Sequence, residues 1–244
     1  MIFFSHLLSP IFGLVFYILL LIFHPLQWFG LKLGGQKGHQ KVVNVMCWFL
    51  NKALLVLGVT IQVKNDYTIP EDKTIIFVSN HQGMFDIPPI IWYFRKYNPK
   101  FVSKKELGKG IPSISFNLRN GGAALIDRKD RNQSIRELET FSKRIHKNKW
   151  SAVIFPEGTR SRTGEPKPFA YGGLKTIFQH NPEAVVVPIT INNSWKLFRY
   201  GNYPLGVFFP ITIETHEPMF LENHEISEVL KTTEEKIKSK VIVS

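Results

Sequence analysis

The sequence has a single cysteine, Cys47, among its 244 residues. No intramolecular disulfide can form, so nothing points to an oxidising compartment, and zinc sites built on cysteine pairs are excluded. Acidic side chains are also scarce: 19 Asp and Glu stand against 31 Lys and Arg, a formal net charge of +12. That balance favours polyanionic partners such as nucleic acid, anionic lipid head groups or phosphorylated substrates. No Gly-x-x-x-x-Gly-Lys-Ser/Thr loop occurs, which disfavours an NTPase. Ser113, Ser115 and Ser161 lack a Gly-x-Ser-x-Gly setting, which disfavours a serine hydrolase. Cys47 lies in an apolar stretch and is no candidate nucleophile, and His180 and His216 lack metal-ligand spacing.

What the chain does have begins with apolar residues at its N-terminus. Residues 2–23 read IFFSHLLSPIFGLVFYILLLIF, with an uninterrupted apolar or glycine run of 13 residues from Ile11 to Phe23. That run is short of the roughly 20 residues needed to cross a bilayer. No Lys or Arg precedes it and no small-x-small site follows it, so a signal peptide is not expected. A second apolar stretch runs from Val42 to Val59, and between the two lie Trp28, Phe29, Lys32, Lys37 and Lys41 among several glycines. Aromatic and basic residues mixed in this way suit the level of lipid head groups. Residues 1–59 are therefore expected to form two helices that embed in one leaflet or fold as a hairpin. The alternative is a single span by residues 2–23, after which the lysines would hold the rest of the chain on the cytoplasmic face.

Residues 60–244 alternate β-type and helical segments with no linker between them, the pattern of one α/β domain with a central, mostly parallel or mixed sheet flanked by helices. Strands are expected at Val59–Val63, Thr74–Ser79, Phe101–Ser103, Ala123–Asp127, Ala152–Phe155, Val185–Ile191 and Gly206–Glu214. Helices are expected at Ile87–Tyr97, Arg131–Lys147, Tyr171–His180 and Ile226–Lys240. In such folds ligands bind beyond the carboxyl ends of strands. Three strand ends in succession carry polar groups: Asn80 and His81, then Asp127 and Arg128, then the run from Pro156 to Arg160.

His81 and Asp86 stand five residues apart. A histidine has an ordinary pKa near 6.5 and can take a proton from a hydroxyl, and a nearby carboxylate fixes its tautomer. With 8 His in the chain, one such spacing arises by chance about one time in six. Alone, the pair could equally be a helix cap and a loop histidine. A second block, Phe155–Ser161, combines Gly158, Thr159 and the planar guanidinium of Arg160, a set suited to a phosphate.

Taken together, the blocks resemble the glycerolipid acyltransferases, in particular the 1-acylglycerol-3-phosphate O-acyltransferases. They are Asn80–Asp86 (NHQGMFD), Gly122–Arg128 (GAALIDR), Phe155–Ser161 (FPEGTRS) and Val187–Ile189 (VPI), in the family's order. The segment from Phe101 to Leu107, FVSKKEL, is similar as well. The resemblance covers about Thr74 to Ile191. It implies direct acyl transfer from acyl-CoA or acyl-carrier protein to the sn-2 hydroxyl of lysophosphatidic acid, with no cofactor beyond that co-substrate. By it, His81 is the general base and Asp86 orients it. Arg160, with Lys104, Lys105 and Arg128, holds the acceptor's phosphate. Glu157, Gly158 and Thr159 belong to the substrate loop, Glu157 in either a substrate or a scaffold role. The partners implied are a bilayer, a lysophospholipid and the thioester donor, not nucleic acid, at the cytoplasmic face of a membrane. Two positions depart from the family's pattern: Gly83 stands where Ser is usual, and Ala170 where Lys is common. Neither touches the base, but both bear on the acceptor, which leaves another lysolipid or glycerol 3-phosphate as alternatives. A non-catalytic module binding anionic membranes is the alternative of a different class.

Overall fold

The computed structural model describes residues 1–243. Its first element, α1 (Ile2–Ala53), is helical throughout except at Gly35, where φ is 56° and ψ is −150°. That backbone state is open essentially to glycine alone. The chain reverses there. Gln27 Nε2 donates to Met46 Sδ at 3.3 Å across 19 residues of sequence, whereas a straight helix would set such residues about 28 Å apart. Phe23 and Phe49 also meet, with ring centroids 5.8 Å apart. Near the bend the limbs touch through glycines, since a Cβ on Gly38 would stand 2.3 Å from the Gly30 carbonyl oxygen. The expected pair of helices is thus a hairpin, and the residues between the two apolar stretches are helical too.

The sheet has eight strands. They are β1 (Thr60–Lys64), β2 (Ile75–Ser79), β3 (Pro99–Lys104), β4 (Ala124–Ile126), β5 (Ser151–Ile154), β6 (Val185–Asn192), β7 (Pro210–Thr215) and β8 (Met219–Phe220). Their order is β1-β7-β6-β2-β5-β3-β4, with β8 on the flank of β6. Neighbours run parallel except β6 with β7 and β6 with β8. The remaining helices are α2 (Ile87–Tyr93), α3 (Ile114–Asn120), α4 (Arg131–Asn148), α5 (Tyr171–Gln179) and α6 (Ile226–Ser239).

Alternation along the central strands divides the core in two. Ile75 and Phe77 of β2 and Val153 of β5 join Val43, Met46, Leu50 and Leu54 of the hairpin segment on one face. Ile76 and Val78 of β2 and Ala152 and Ile154 of β5 join Phe141 of α4, Leu174 of α5 and Ile237 of α6 on the other. All five residues of β2 are buried, as expected of a strand covered on both faces. The hairpin is therefore one of the two layers that cover the sheet. Its first limb lies along the domain over much of its length. Ser9 Oγ accepts from the Leu205 N–H at 2.8 Å, Phe12 packs on Phe85 with centroids 5.5 Å apart, and the Ser113 hydroxyl donates to the Leu20 carbonyl at 2.6 Å.

The expected strands and helices all occur, with ends moved by a few residues; the last strand begins at Pro210 instead of Gly206. Two elements had no expectation. Helix α3 follows Ser113, whose φ of 60° the hairpin supports, because the Ser113 N–H donates to His24 Nδ1 at 3.0 Å. Strand β8 is only two residues long.

Candidate active site

Strands β2, β5, β3 and β4 lie side by side and parallel. Their carboxyl ends therefore share one edge, in the order His81, the 155–161 loop, Lys104 with Lys105, and Arg128. At about 4.8 Å per strand step, Lys104 begins about 10 Å from the end of β2 and Arg128 about 14 Å from it.

At the end of β2 the chain tightens into a turn, with residues Met84–Asp86 as one 3-10 turn before α2. Asp86 is fully buried. Its Oδ2 accepts from His81 Nδ1 at 2.8 Å, from the Gln82 N–H at 2.8 Å and from the Gly83 N–H at 2.9 Å. With a carboxylate on Nδ1, the imidazole carries its proton there and presents a bare Nε2, which makes no hydrogen bond among the described residues. The ring is held flat against Phe155, with centroids 4.1 Å apart and planes 14° apart. The backbone is pinned as well. The His81 N–H donates to Glu157 Oε1 at 3.0 Å, and the Ser161 N–H donates to the His81 carbonyl at 2.7 Å. The loop after β5 thus holds the histidine from both sides. Partial burial raises the Glu157 carboxyl above its ordinary range, partly offset by the His81 and Lys167 amides.

The expected residues fall into two groups. His81, Asp86 and Glu157 are joined by hydrogen bonds, Glu157 through the His81 N–H. Arg160, Lys104, Lys105 and Arg128 are exposed along the edge, and among the described residues no hydrogen bond or ion pair joins their side chains to one another or to His81. Thr159 Oγ1 accepts from Lys167 Nζ at 2.7 Å, and the same ammonium donates to the Arg160 carbonyl at 3.0 Å. Gly158 has φ of 69°, the conformation the turn requires. Apart from its chain neighbours, no atom of the described residues lies within 4 Å of the position a Cβ would take there, so the loop is open on that side.

Several contributors carried no expectation. Asn80 bridges strand ends, donating to the Ile191 carbonyl at 2.8 Å and accepting from the Ile191 N–H at 2.7 Å. Phe155 supplies the platform under the imidazole, and Lys167 holds the loop. Gly83 also finds its reason: a Cβ there would stand 2.7 Å from the Ser194 hydroxyl. A serine here, as the family's pattern has it, would require the Ser194 side chain, which reaches in from beyond β6, to shift. Adjacency of Asn80 to His81 was a visible signal. The Gly83–Ser194 contact, between residues 111 positions apart, had none.

Comparison with known proteins extends this geometry. Residues 60–192, more than half of the chain, match the family described as Acyltransferase. The 1-acyl-sn-glycerol-3-phosphate acyltransferase of Helicobacter pylori is 33% identical over 153 residues, covering 59% of this chain and 60% of that protein. The enzyme of the same name from Saccharomyces cerevisiae is 28% identical over 195 residues, covering 78% of this chain and 61% of its own. The match thus spans about three fifths of the length of these relatives. A crystal structure titled as the 1-acyl-sn-glycerophosphate (LPA) acyltransferase of Thermotoga maritima superposes with a TM-score of 0.75 at 24% identity. It covers 96% of this chain and 95% of that one, a likeness of fold that includes the N-terminal segment. On the match over residues 60–192, which contains the His81–Asp86 turn and the Phe155–Ser161 loop, the chain belongs to the acyltransferase family.

Proposed function

We propose that the protein transfers a fatty acyl group from an acyl thioester, acyl-CoA or acyl-carrier protein, to the sn-2 hydroxyl of lysophosphatidic acid, giving phosphatidic acid. The observation that carries this reading is the 2.8 Å contact between His81 Nδ1 and Asp86, with Nε2 left free. In the reaction, Nε2 takes the proton of the acceptor hydroxyl as its oxygen attacks the thioester carbonyl. The tetrahedral adduct then collapses with loss of the thiolate, which takes the proton back from the imidazolium. The ester has formed, the thioester bond has broken, and His81 is neutral again. Asp86 holds the tautomer and stabilises the transient cation. No covalent acyl-enzyme is needed.

Arg160 is the proposed phosphate ligand, since its guanidinium is exposed on the strand edge next to that of His81 and has no ion-pair partner among the described residues. Lys104, Lys105 and Arg128 extend the basic edge. Residues 1–59 are the proposed bilayer contact, embedded in one leaflet at the cytoplasmic face. On their outer side Phe3, Leu7, Leu14, Ile18, Leu21, Ile22 and Leu33 are exposed, and clustered exposed apolar side chains mark membrane or partner surfaces. A second reading, transfer to another lysolipid or to glycerol 3-phosphate, draws on the Gly83–Ser194 contact and on Ala170, both departures from the lysophosphatidic acid enzymes' pattern.

The test is a panel of acceptors with and without phosphate, each offered labelled acyl-CoA and acyl-carrier protein in lipid vesicles. Transfer to lysophosphatidic acid should lead, and Arg160→Ala should erase the preference for phosphate-bearing acceptors. Absence of transfer to lysophosphatidic acid, with transfer to another acceptor, would install the second reading.

A further inference from the structure

The segment 194–209 connects the catalytic turn to the N-terminal end of the hairpin. At its start, Ser194 abuts Gly83, and Phe198 stacks on Phe85 with centroids 6.2 Å apart and planes 17° apart. At its end it meets the hairpin. Tyr203 lies edge-on to His6 at 5.2 Å, the Leu205 N–H donates to Ser9 Oγ at 2.8 Å, and Phe208 meets Phe4 edge-on at 5.8 Å. Between these anchorages the segment turns large rings outward: Tyr200 is 37% exposed, Tyr203 55% and Phe208 49%. Phe3, Phe4 and Leu7 adjoin them and are also exposed.

Two further observations distinguish this patch from ordinary surface. The first is Phe208, which has φ of 61°, a left-handed state that is costly for a bulky residue. The bare Cα of Gly58 makes room for the ring, because a Cβ there would lie 2.3 Å from Phe208 Cδ1. Backbone strain is thus retained where an aromatic ring is half presented to the outside. The second is charge. No Asp or Glu occurs between Glu183 and Glu214, while Lys196 and Arg199 do. The Arg199 guanidinium lies over the Tyr200 ring, 5.3 Å from its centroid. A tyrosine ring beneath a guanidinium suits the head-group level of an anionic bilayer.

We propose that residues 194–209 are a second membrane-contacting element, seated in the head-group layer of an anionic bilayer and continuous with the outer face of the hairpin. This rests on the reading of residues 1–59 as the bilayer contact. It adds a physical link between the two sites. The element that rests on the lipid is the one that packs on Gly83 and Phe85, so an acceptor leaving the leaflet meets His81 along a wall that is itself in the membrane.

The chain's one cysteine, Cys47, is 2% exposed, so an environment-sensitive fluorophore can be directed to an introduced thiol. Leu14→Cys reports on the hairpin, Tyr203→Cys on the proposed element, and Lys143→Cys on α4 across the sheet. With vesicles of phosphatidylcholine and phosphatidylglycerol, emission should shift to the blue at positions 14 and 203 and stay unchanged at 143. A shift at 14 without one at 203 overturns the inference and leaves the hairpin reading standing. No shift at 14 overturns both. A shift at 203 that depends on protein concentration and not on vesicles assigns the patch to a second copy of the chain and overturns the inference. As a second measurement, Tyr200→Ser with Tyr203→Ser should weaken vesicle partition roughly tenfold, as expected for losing part of two buried rings. Acyl transfer to a short-chain acceptor dissolved as monomers should be unchanged. Unchanged partition would again count against the proposal.

Discussion

Among the described residues two charged side chains, Asp86 and Lys100, are buried, and their surroundings differ. Asp86 gathers an imidazole and two backbone N–H groups on one oxygen. Lys100, on β3, is 5% exposed and has no carboxylate partner among the described residues. Its ammonium donates to Gln40 on the hairpin and lies 4.5 Å from the centroid of Trp150. Nearby His39 Nε2 meets Gln27 Oε1 at 3.3 Å, and its Nδ1 has no partner. Burial brings Lys100 down to about 8, and burial with the Lys100 charge brings His39 down to about 4. Three donors converging on one oxygen hold the Asp86 carboxylate, and the imidazole with it, in one geometry. A cation met by an amide and a ring remains costly. What the contact does is tie the hairpin to β3 through Gln40.

Substitutions at the two sites should therefore act on different quantities. The largest effect is expected from Asp86→Asn, which keeps the shape but removes the charge that selects the Nδ1–H tautomer. Turnover should fall by about 10²- to 10⁴-fold, read as kcat on purified protein whose melting temperature is checked beside it. A loss under tenfold would remove Asp86 from the orienting role. Lys100→Met should leave the reaction in place and raise stability at pH 7 by about 1–3 kcal/mol, measured by thermal unfolding. The pH dependence gives the sign. Between about 8 and the ordinary lysine value of 10.5, the unfolded chain binds more protons than the folded one. Native stability therefore rises with pH across that window, and the advantage of the variant shrinks there. An advantage constant up to pH 11 would show that charge burial is not its source. His39 acts at the other end, since its lowered value makes stability fall as pH drops from 6.5 toward about 4.

The smallest effect is expected from Glu157→Gln, at the boundary of the catalytic turn. Its carbonyl can still accept from the His81 N–H, while the cost of a half-buried carboxylate disappears. A raised carboxyl value favours the native state below the ordinary glutamate range and loses that contribution as pH rises through the raised value. A small gain in melting temperature should thus appear at pH 7 and vanish in acid. A loss at pH 7 would mean that the ionised form is needed to hold His81.

Much of the site was legible before any coordinates, because it is local. Five residues around one tight turn join His81 to Asp86, and the apolar run before each polar block marked the ends of β2 and β5. The hairpin's existence could be read from its two apolar stretches, but not its bend. Four glycines stand between residues 30 and 38, and their φ angles depend on how the limbs pack. Helix α3 escaped because His24 and Leu20 of the hairpin support its first turn from about 90 positions away. Ser194, which crowds the space beside Gly83, is likewise remote in sequence.

By itself, then, the sequence determined the family and the class of fold: the His81–Asp86 turn, the loop that carries Arg160 and the α/β alternation are each written in a few consecutive residues. Only the tertiary structure decided which glycine reverses the chain, which cation is buried at the seam, and which segment joins the catalytic turn to the apolar hairpin. Those depend on side chains that meet across the fold, and their energies arise from contacts that no local pattern records.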